Sequence, residues 1–445
     1  MRPGATRPIT MRGKLRWILI FWMFVVSAIA YLDRVNISIA GTTIADEFHL
    51  DKVQLGWIFS AFVLGYALFQ APGGRIADWI GPRATLMIGV IWWGVFTSII
   101  TFLPPGAAGI LAVLIGVRFC LGMGEAVVYP ASNCVVAQWI PSSERGLANG
   151  FIFCGVGFGA GITPPLITYL MSHYGWRSSF WVSAFLGLIA GAVWYFVARD
   201  TPRQHPWITN EEAVYIASGL PQSGAKGGSG DKLPWSSILT NRHVLAVTFS
   251  YFCYGYAAYI FFSWFFIYLN KVRGLDLKSS AYYTMLPFLA MAVCSPLGGW
   301  MSDRLTKTYG KRVGRCILAA VAIGGCAVFI ALGTQVTSAQ VASVILAGGA
   351  GALYISQSSY WSVSADIGGK SAGSVSGIMN MGGQLGGTLT ATLTPWIAEH
   401  FGWTTSFLAA AGLCAVGALA WLVVHPEGKA SDEAPVRHAS SGSGH

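Results

Sequence analysis

Asp33 and Arg34 interrupt the first hydrophobic segment of this chain, and Arg118 and Glu125 interrupt the fourth. A charge at bilayer depth costs about 2.5–3.5 kcal/mol on insertion scales, so such residues face a cavity or a partner and mark function. Arg118 and Glu125 are seven residues apart. On an α-helix that spacing is about 20° short of two full turns, with a rise of about 10.5 Å. Both side chains therefore point the same way, on two levels. A guanidinium group binds a carboxylate through paired, planar hydrogen bonds and stays charged. Arg34 and Arg118 are thus candidates to hold an anion. Burial disfavours the charged form of a carboxyl group, and a nearby guanidinium favours it. Asp33 and Glu125 can then load and release protons as their Arg contacts change. With the first segment running outward and the fourth inward, Asp33 and Arg118 can meet at one depth. The alternative is a salt bridge that only fixes helix packing.

Such charges need apolar surroundings, and the composition provides them. Of 445 residues, 54% are hydrophobic and 10% are charged, where a soluble domain carries about 25% charged residues. The apolar residues fall into twelve runs near the length of about 20 needed to span a bilayer: 16–41, 54–74, 84–103, 107–137, 146–171, 179–198, 243–270, 279–301, 314–333, 337–364, 372–397 and 404–424. The expected class is an all-α, multi-pass membrane protein.

An even number of spans puts both termini on one side. If that side is the cytoplasm, the outer loops hold five of the 28 Lys and Arg residues: Lys52, Arg177, Lys271, Arg273 and Lys278. Arg34 and Arg118 lie in the membrane, and the inner segments hold the other 21. The positive-inside rule then places both termini in the cytoplasm. The net charge of +10 is accounted for by topology. Nucleic-acid binding needs a basic soluble domain, and the sequence offers none. The eight Cys are scattered without a CxxC spacing and read as small packing residues. No His/Cys pattern suggests a metal, and no motif suggests a cofactor.

The chain divides as 1–198, a linker at 199–242, 243–425, and a polar tail at 426–445 expected to be disordered. Gly/Ser-rich residues 222–231 read as flexible linker. The two halves repeat each other. Asp78 and Asp303 are 225 residues apart, each ending an apolar segment; Arg145 and Lys370 share that offset. Gly175-Trp176 and Gly402-Trp403, each followed by Ser and Phe, are 227 apart. Tandem duplication of a six-helix unit is a transporter architecture, with a substrate site at the interface near the midplane.

Gly74, Asp78, Gly81 and Arg83 are spaced as in the signature of the major facilitator superfamily, which the chain therefore resembles. The second half carries a related run through Gly299, Asp303, Arg304 and Gly310. The stretch Tyr31-Leu32-Asp33-Arg34-Val35-Asn36 is similar to the anion:cation symporter family within it, as is the run from Arg118 through Glu125 to Tyr129-Pro130. So is the loop from His205 to Ile216, which resembles the family's sugar-acid members. The resemblance implies the major facilitator fold: twelve transmembrane helices in two pseudo-symmetric halves. It implies that Asp33 and Glu125 carry protons and that Tyr31 and Tyr66 lie on the substrate side. Asp78, Arg83, Asp303 and Arg304 are expected to gate the cytoplasmic side.

The second half has no charge in the middle of a helix, so its cavity wall must use neutral groups. Trp361 in the Ser-rich tenth segment, with Asn380 and Gln384 at i,i+4 in the eleventh, are the candidates. Plain helix packing is the alternative for these residues. The seventh segment is aromatic throughout, either as lipid-facing packing or as an outer gate. The expected function is a proton-coupled symporter that imports a small organic anion, foremost a sugar acid (aldonate, uronate or aldarate). It would be a monomer in the inner (plasma) membrane, surrounded by lipid, with no cofactor. Phosphate, an aromatic carboxylate or a dicarboxylate is the alternative cargo. A membrane sensor is a rival class. No nucleophile–base set supports an enzyme.

Overall fold

In lipid, every backbone N–H and C=O must be paired within the segment, so long apolar runs fold as helices. The computed structural model describes residues 15–50, 52–106, 109–220, 233–265 and 268–427. The Gly/Ser-rich stretch 222–231 and the tail from 428 onward lie outside the described residues.

Among the described residues, twelve helices long enough to span follow in order. In the first half they are α1 (Leu15–Phe48), α2 (Lys52–Ile80), α3 (Pro82–Ile99), α4 (Ile110–Glu125, resuming at Val128–Trp139), α5 (Arg145–Tyr174) and α6 (Trp176–Val197). In the second they are α7 (Arg242–Tyr259), α8 (Leu277–Tyr309), α9 (Leu318–Gln335), α10 (Ala339–Gly368), α11 (Ala372–Phe401) and α12 (Trp403–Ala420). Short helices Asn210–Gly219 and Trp235–Thr240 lie between the halves.

The helices outrun the apolar segments. The sequence places the second segment at 54–74 and the eighth at 279–301, but α2 continues to Ile80 and α8 to Tyr309. Hydrogen bonding carries each helix past its apolar stretch, so Asp78 and Asp303 are helical rather than in loops. The joints α5–α6 and α11–α12 are single glycines, Gly175 at φ 78° and Gly402 at φ 86°. A residue with a Cβ rarely adopts that conformation, which explains why the duplicated Gly-Trp pair recurs at both joints.

Two helices are interrupted near the centre. In α4 the break falls at 126–127. Pro130 has no N–H to offer the carbonyl four residues earlier, so the ladder loosens there. After Tyr259, α7 passes into a π-helical turn over Ile260–Trp264. Such turns realign side chains and gather at functional sites.

Within the halves, α1 packs on α5, α3 on α6, α7 on α11 and α9 on α12; across the halves, α2 packs on α11 and α5 on α8. At both crossings glycines let backbones touch. A Cβ on Gly74 or Gly373 would collide with the other's carbonyl oxygen, and the same holds for Gly146 and Gly299. Both crossings lie toward the inner end of the bundle, so named from the Lys/Arg count.

Candidate functional site

The four intramembrane charges of the first half form one buried cluster. Arg34 Nε donates to Glu125 Oε1 at 2.5 Å, with the Glu125 side chain fully buried. Its guanidinium also lies over three rings, with centroid distances of 4.0 Å to Tyr66, 4.9 Å to Tyr31 and 5.4 Å to Phe62. Arg118 sits over the Phe62 ring at 4.6 Å. Asp33 accepts a hydrogen bond from Thr97 on α3 at 3.3 Å.

Asp33 and Arg118 do not form an ion pair. Asp33 Oδ1, Arg118 Nε and Nη1, Arg34 Nη2 and Glu125 Oε2 are all buried without a hydrogen-bond partner among the described residues. The physical reason is helical. Adjacent residues on α1 point about 100° apart, so when Arg34 faces Glu125 on α4, Asp33 turns toward α3. The result is a cluster with three unsatisfied guanidinium nitrogens in a buried site. An unsatisfied buried polar group costs about 1–3 kcal/mol, and more when charged. An oxyanion that filled those donors would relieve that cost.

The cluster opens on a cavity of about 290 Å³ lined by Arg34, Arg118 and Phe62 of the first half and by Tyr259, Phe262 and Ser263 of the second. Beneath it lies a cavity of about 40 Å³ between the halves. Tyr31 and Tyr66 line its first-half wall; Tyr254, Gln357, Asn380 and Gln384 line the other. Tyr31, Tyr259 and Phe262 border both cavities. Their rings are in contact, with centroids 6.3 Å apart for Tyr31–Phe262 and 5.9 Å for Tyr259–Phe262. Tyr259 and Phe262 flank the start of the π-turn in α7. The inner cavity is water-sized, so a molecule larger than water needs these rings to part before it can settle there.

The second-half candidates separate. Gln384 accepts from the Tyr259 hydroxyl at 2.7 Å, and Asn380 Nδ2 donates to Gln70 Oε1 on α2 at 2.8 Å. Trp361 stands behind the wall: its Nε1 donates to the Tyr251 hydroxyl at 3.3 Å and its ring packs on Phe153 and Tyr129. Sequence reasoning did not single out Tyr129, Tyr254, Tyr259, Tyr354, Gln357 or Gln70. Tyr129 and Gln357 lie in runs already notable for Glu125 and Trp361, and Tyr254 and Tyr259 in the aromatic seventh segment. Gln70 is a lone amide in an apolar helix and carries no signal.

At the inner end, Asp78 accepts from the backbone N–H of Gly373 at 3.0 Å and of Ser374 at 2.8 Å, and from the Ser374 hydroxyl at 2.5 Å. Asp303 accepts from the N–H of Gly146 at 2.8 Å and of Leu147 at 2.7 Å. Each carboxylate thus sits at the N-terminus of a helix in the opposite half, where free N–H groups and the helix dipole favour negative charge. Arg145 and Asp366 join the halves at 2.6 Å, and Arg315 reaches Asp366 at 3.1 Å. Arg83 and Arg304 do not cross. The Arg83 backbone N–H donates to Asp200 at the start of the linker and its Nε to the Tyr195 carbonyl in its own half, and Arg304 is exposed beside Trp300.

A model of the Major Facilitator Superfamily matches residues 23–391 and 368–443. The chain belongs to this superfamily. The probable sulfoacetate transporter SauU of Cupriavidus necator is 34% identical over 93% of this chain and 95% of its own length. The hexuronate transporter of Bacillus subtilis is 29% identical over 92% of this chain and 94% of its own length. The chloroplastic ascorbate transporter of Arabidopsis thaliana is 32% identical over 91% of this chain and 74% of its own length. Among solved structures, the proton:xylose symporter XylE bound to 6-bromo-6-deoxy-D-glucose superposes with a TM-score of 0.75, covering 94% of this chain and 98% of that one at 16% identity. The twelve-helix, two-half architecture expected from the sequence is that of the superfamily, and its relatives are anion transporters.

Proposed function

We propose that the protein is a proton-coupled symporter that imports a small organic anion by alternating access, with a sugar acid as the foremost cargo. The observation that carries this reading is the Arg34–Glu125 pair beside the unsatisfied guanidinium of Arg118. Glu125 and an incoming oxyanion compete for Arg34. Protonating Glu125 frees Arg34 for the anion, and Arg118 supplies the second fork. Asp33, next to Arg118, provides a second acid. Each proton added to the cluster offsets one negative charge brought by the substrate, so the loaded cavity stays near neutrality and can cross the low-dielectric midplane. Because proton and anion stabilise the same loaded state, each promotes the other's binding.

The amides of Asn380 and Gln384 and the surrounding phenols suit a cargo with hydroxyl groups. Asp78 and Asp303 hold the inner end closed until the cavity is loaded. The protein would work as a monomer in the inner membrane, with both termini in the cytoplasm.

A second reading keeps the mechanism and changes the cargo. Relatives are named for sulfoacetate, ascorbate and phosphate, and the free guanidinium donors accept any oxyanion. Proteoliposome uptake driven by an inward proton gradient decides between them. D-glucuronate, D-glucarate, L-ascorbate, sulfoacetate and phosphate form the panel. Accumulation of a sugar acid supports the first reading. Accumulation of sulfoacetate, ascorbate or phosphate without a sugar acid selects the second. No gradient-driven uptake of any of them defeats both.

A further inference from the structure

The seam between α2 and α11 has a side-chain-to-side-chain hydrogen bond where its counterpart has a side-chain-to-backbone one. Reading inward along it, Gln70 Oε1 accepts from Asn380 Nδ2 at 2.8 Å, Gln70's carbonyl abuts Gly377, Gly74 abuts Gly373, and Asp78 takes the N–H groups of Gly373 and Ser374. Gln70 is fully buried and Asn380 nearly so. Gln70 lies eight residues before Asp78, about 12 Å higher on the same helix. Asn380 belongs to two places at once, since it also lines the inner cavity with Gln384.

The α5–α8 seam is built differently. Ser295, at the duplicate position of Gln70, donates to the backbone carbonyl of Gly150 at 3.0 Å. That bond lies wholly within the seam and involves no side chain of the cavity. Among the described residues, only at α2–α11 does a cavity residue also make a side-chain hydrogen bond of the closed interface. The bond is also an incomplete one. Gln70 Nε2 is buried and unsatisfied, so closure there is opposed by an unpaired donor.

Resting on the anion reading of the site, we propose that Gln70 is a positioning residue for the transport cycle. It holds Asn380 in the empty carrier and yields it to a hydrogen-bond acceptor on the substrate, at the end remote from the anionic head. Losing that bond leaves Asp78 as the one polar side chain bridging the α2–α11 seam among the described residues, and Asp78 can rehydrate when the helices part. The seam then opens first, at the moment the cavity is filled, while α5 stays pinned to α8 by Asp303 and to α10 by the Arg145–Asp366 pair. An empty, protonated carrier keeps the bond and stays closed, which suppresses proton leak. The substrate class implied is an anion with an oxygen acceptor two or more bonds from its acidic group.

The protein carries its own reporter. Cys134 is buried in this seam, its Sγ donating to Asp78 Oδ1 at 3.3 Å. Alkylation of Cys134 by N-ethylmaleimide, read by peptide mass spectrometry on the full-length protein in proteoliposomes, reports whether the seam is open. With no substrate present, Gln70→Leu should react at least about fivefold faster than wild type. Asn380→Leu should do the same, and the double variant should be no faster than either. Gln70→Glu keeps an acceptor oxygen and should react at the wild-type rate. Should Gln70→Leu fail to fold, Asn380→Leu against Gln70→Glu makes the same test. Wild-type rates in the Leu variants, or accelerations that multiply in the double variant, overturn the proposal.

A second arm adds D-glucuronate, D-glucarate or sulfoacetate. The transported acid should speed labelling of wild type and leave Gln70→Leu unchanged. If wild type takes up an acid and its labelling does not change, substrate does not release Asn380 and the proposal falls. If no acid is taken up while the Leu variants still open, the anion reading fails and the latch itself stands.

Discussion

The two walls of the cavity come from duplicated halves, yet they differ in kind. The first half lines it with Arg34 and Arg118, with Glu125 and Asp33 buried behind them; the second lines it with amides and phenols from Gln357, Asn380, Gln384, Tyr254 and Tyr259. The inner-end carboxylates, by contrast, recur in both halves at Asp78 and Asp303. The alternating access proposed above explains the asymmetry. Pulling a buried ion pair apart leaves an uncompensated charge, at about 3–5 kcal/mol. If Arg34 and Glu125 sat in opposite halves, rocking would incur that cost in every cycle. Both sit in the first half, so they move together, and only a proton or an anion alters the pair. Neutral hydrogen bonds are worth about 0.5–1.5 kcal/mol each, and the second half can make and break them as it rocks. Ion pairs that do cross the halves, such as Arg145–Asp366, lie at the inner end, where opening delivers them to water.

The most severe way to break this comparison is to remove the proton step from the first half. Glu125→Gln keeps the shape and an acceptor for Arg34 but mimics a permanently protonated acid. Uphill, pH-driven accumulation should disappear, while counterflow exchange of labelled for unlabelled substrate persists. Asp33→Asn should also impair accumulation, with less effect on the Arg34 contact. Normal accumulation in both variants would move coupling out of this wall.

A smaller effect is expected from the anion contacts. Arg118→Lys keeps a charge but loses the planar fork. Its substrate affinity should fall by roughly 1.5–3 kcal/mol, the scale of a hydrogen bond to a charged group, or about 10- to 150-fold. Arg34→Ala should weaken binding at least as much and also lower thermal stability, because Glu125 is left buried without its partner. Arg118 already lacks a protein partner for two of its nitrogens, so Arg118→Lys should leave the melting temperature nearly unchanged. Isothermal titration and thermal unfolding on the same two variants separate an anion site from a strut.

These roles were legible to different depths. Twelve apolar runs, the duplication and the four intramembrane charges stand out in the sequence because charge in lipid is rare and expensive. Asp78 and Asp303 stand out by their spacing, but their partners do not: they are backbone N–H groups at two helix ends, which no residue type announces. The choice of Glu125 for Arg34, with Asp33 turned to Thr97, depends on helix rotation and is beyond a depth argument. Trp361 is a polar-segment aromatic that looks like a wall residue and instead braces Tyr251 and Phe153 from behind. Gln70 is invisible for the opposite reason. A single amide among apolar neighbours acquires meaning only when α11 brings Asn380 against it.

The mildest test lies in the second half. Gln384 accepts from Tyr259 at 2.7 Å, and its Nε2 makes no hydrogen bond among the described residues, so it can donate to a substrate hydroxyl. Gln384→Ala should raise the concentration of sugar acid needed for half-maximal uptake by several-fold, the scale of one neutral hydrogen bond of about 1 kcal/mol. The pH dependence of uptake should stay where it was, because Asp33 and Glu125 lie across the cavity. Selectivity should also narrow between the sugar acid and the analogue lacking that hydroxyl, since the analogue never used the bond. Tyr259→Phe provides the control. It removes the hydroxyl that orients Gln384 but keeps the ring against Phe262, so it should shift affinity in the same direction by less. If Gln384→Ala instead displaces the pH profile and leaves the substrate ranking intact, the neutral wall takes part in proton coupling. The separation of labour between the halves would then have to be abandoned.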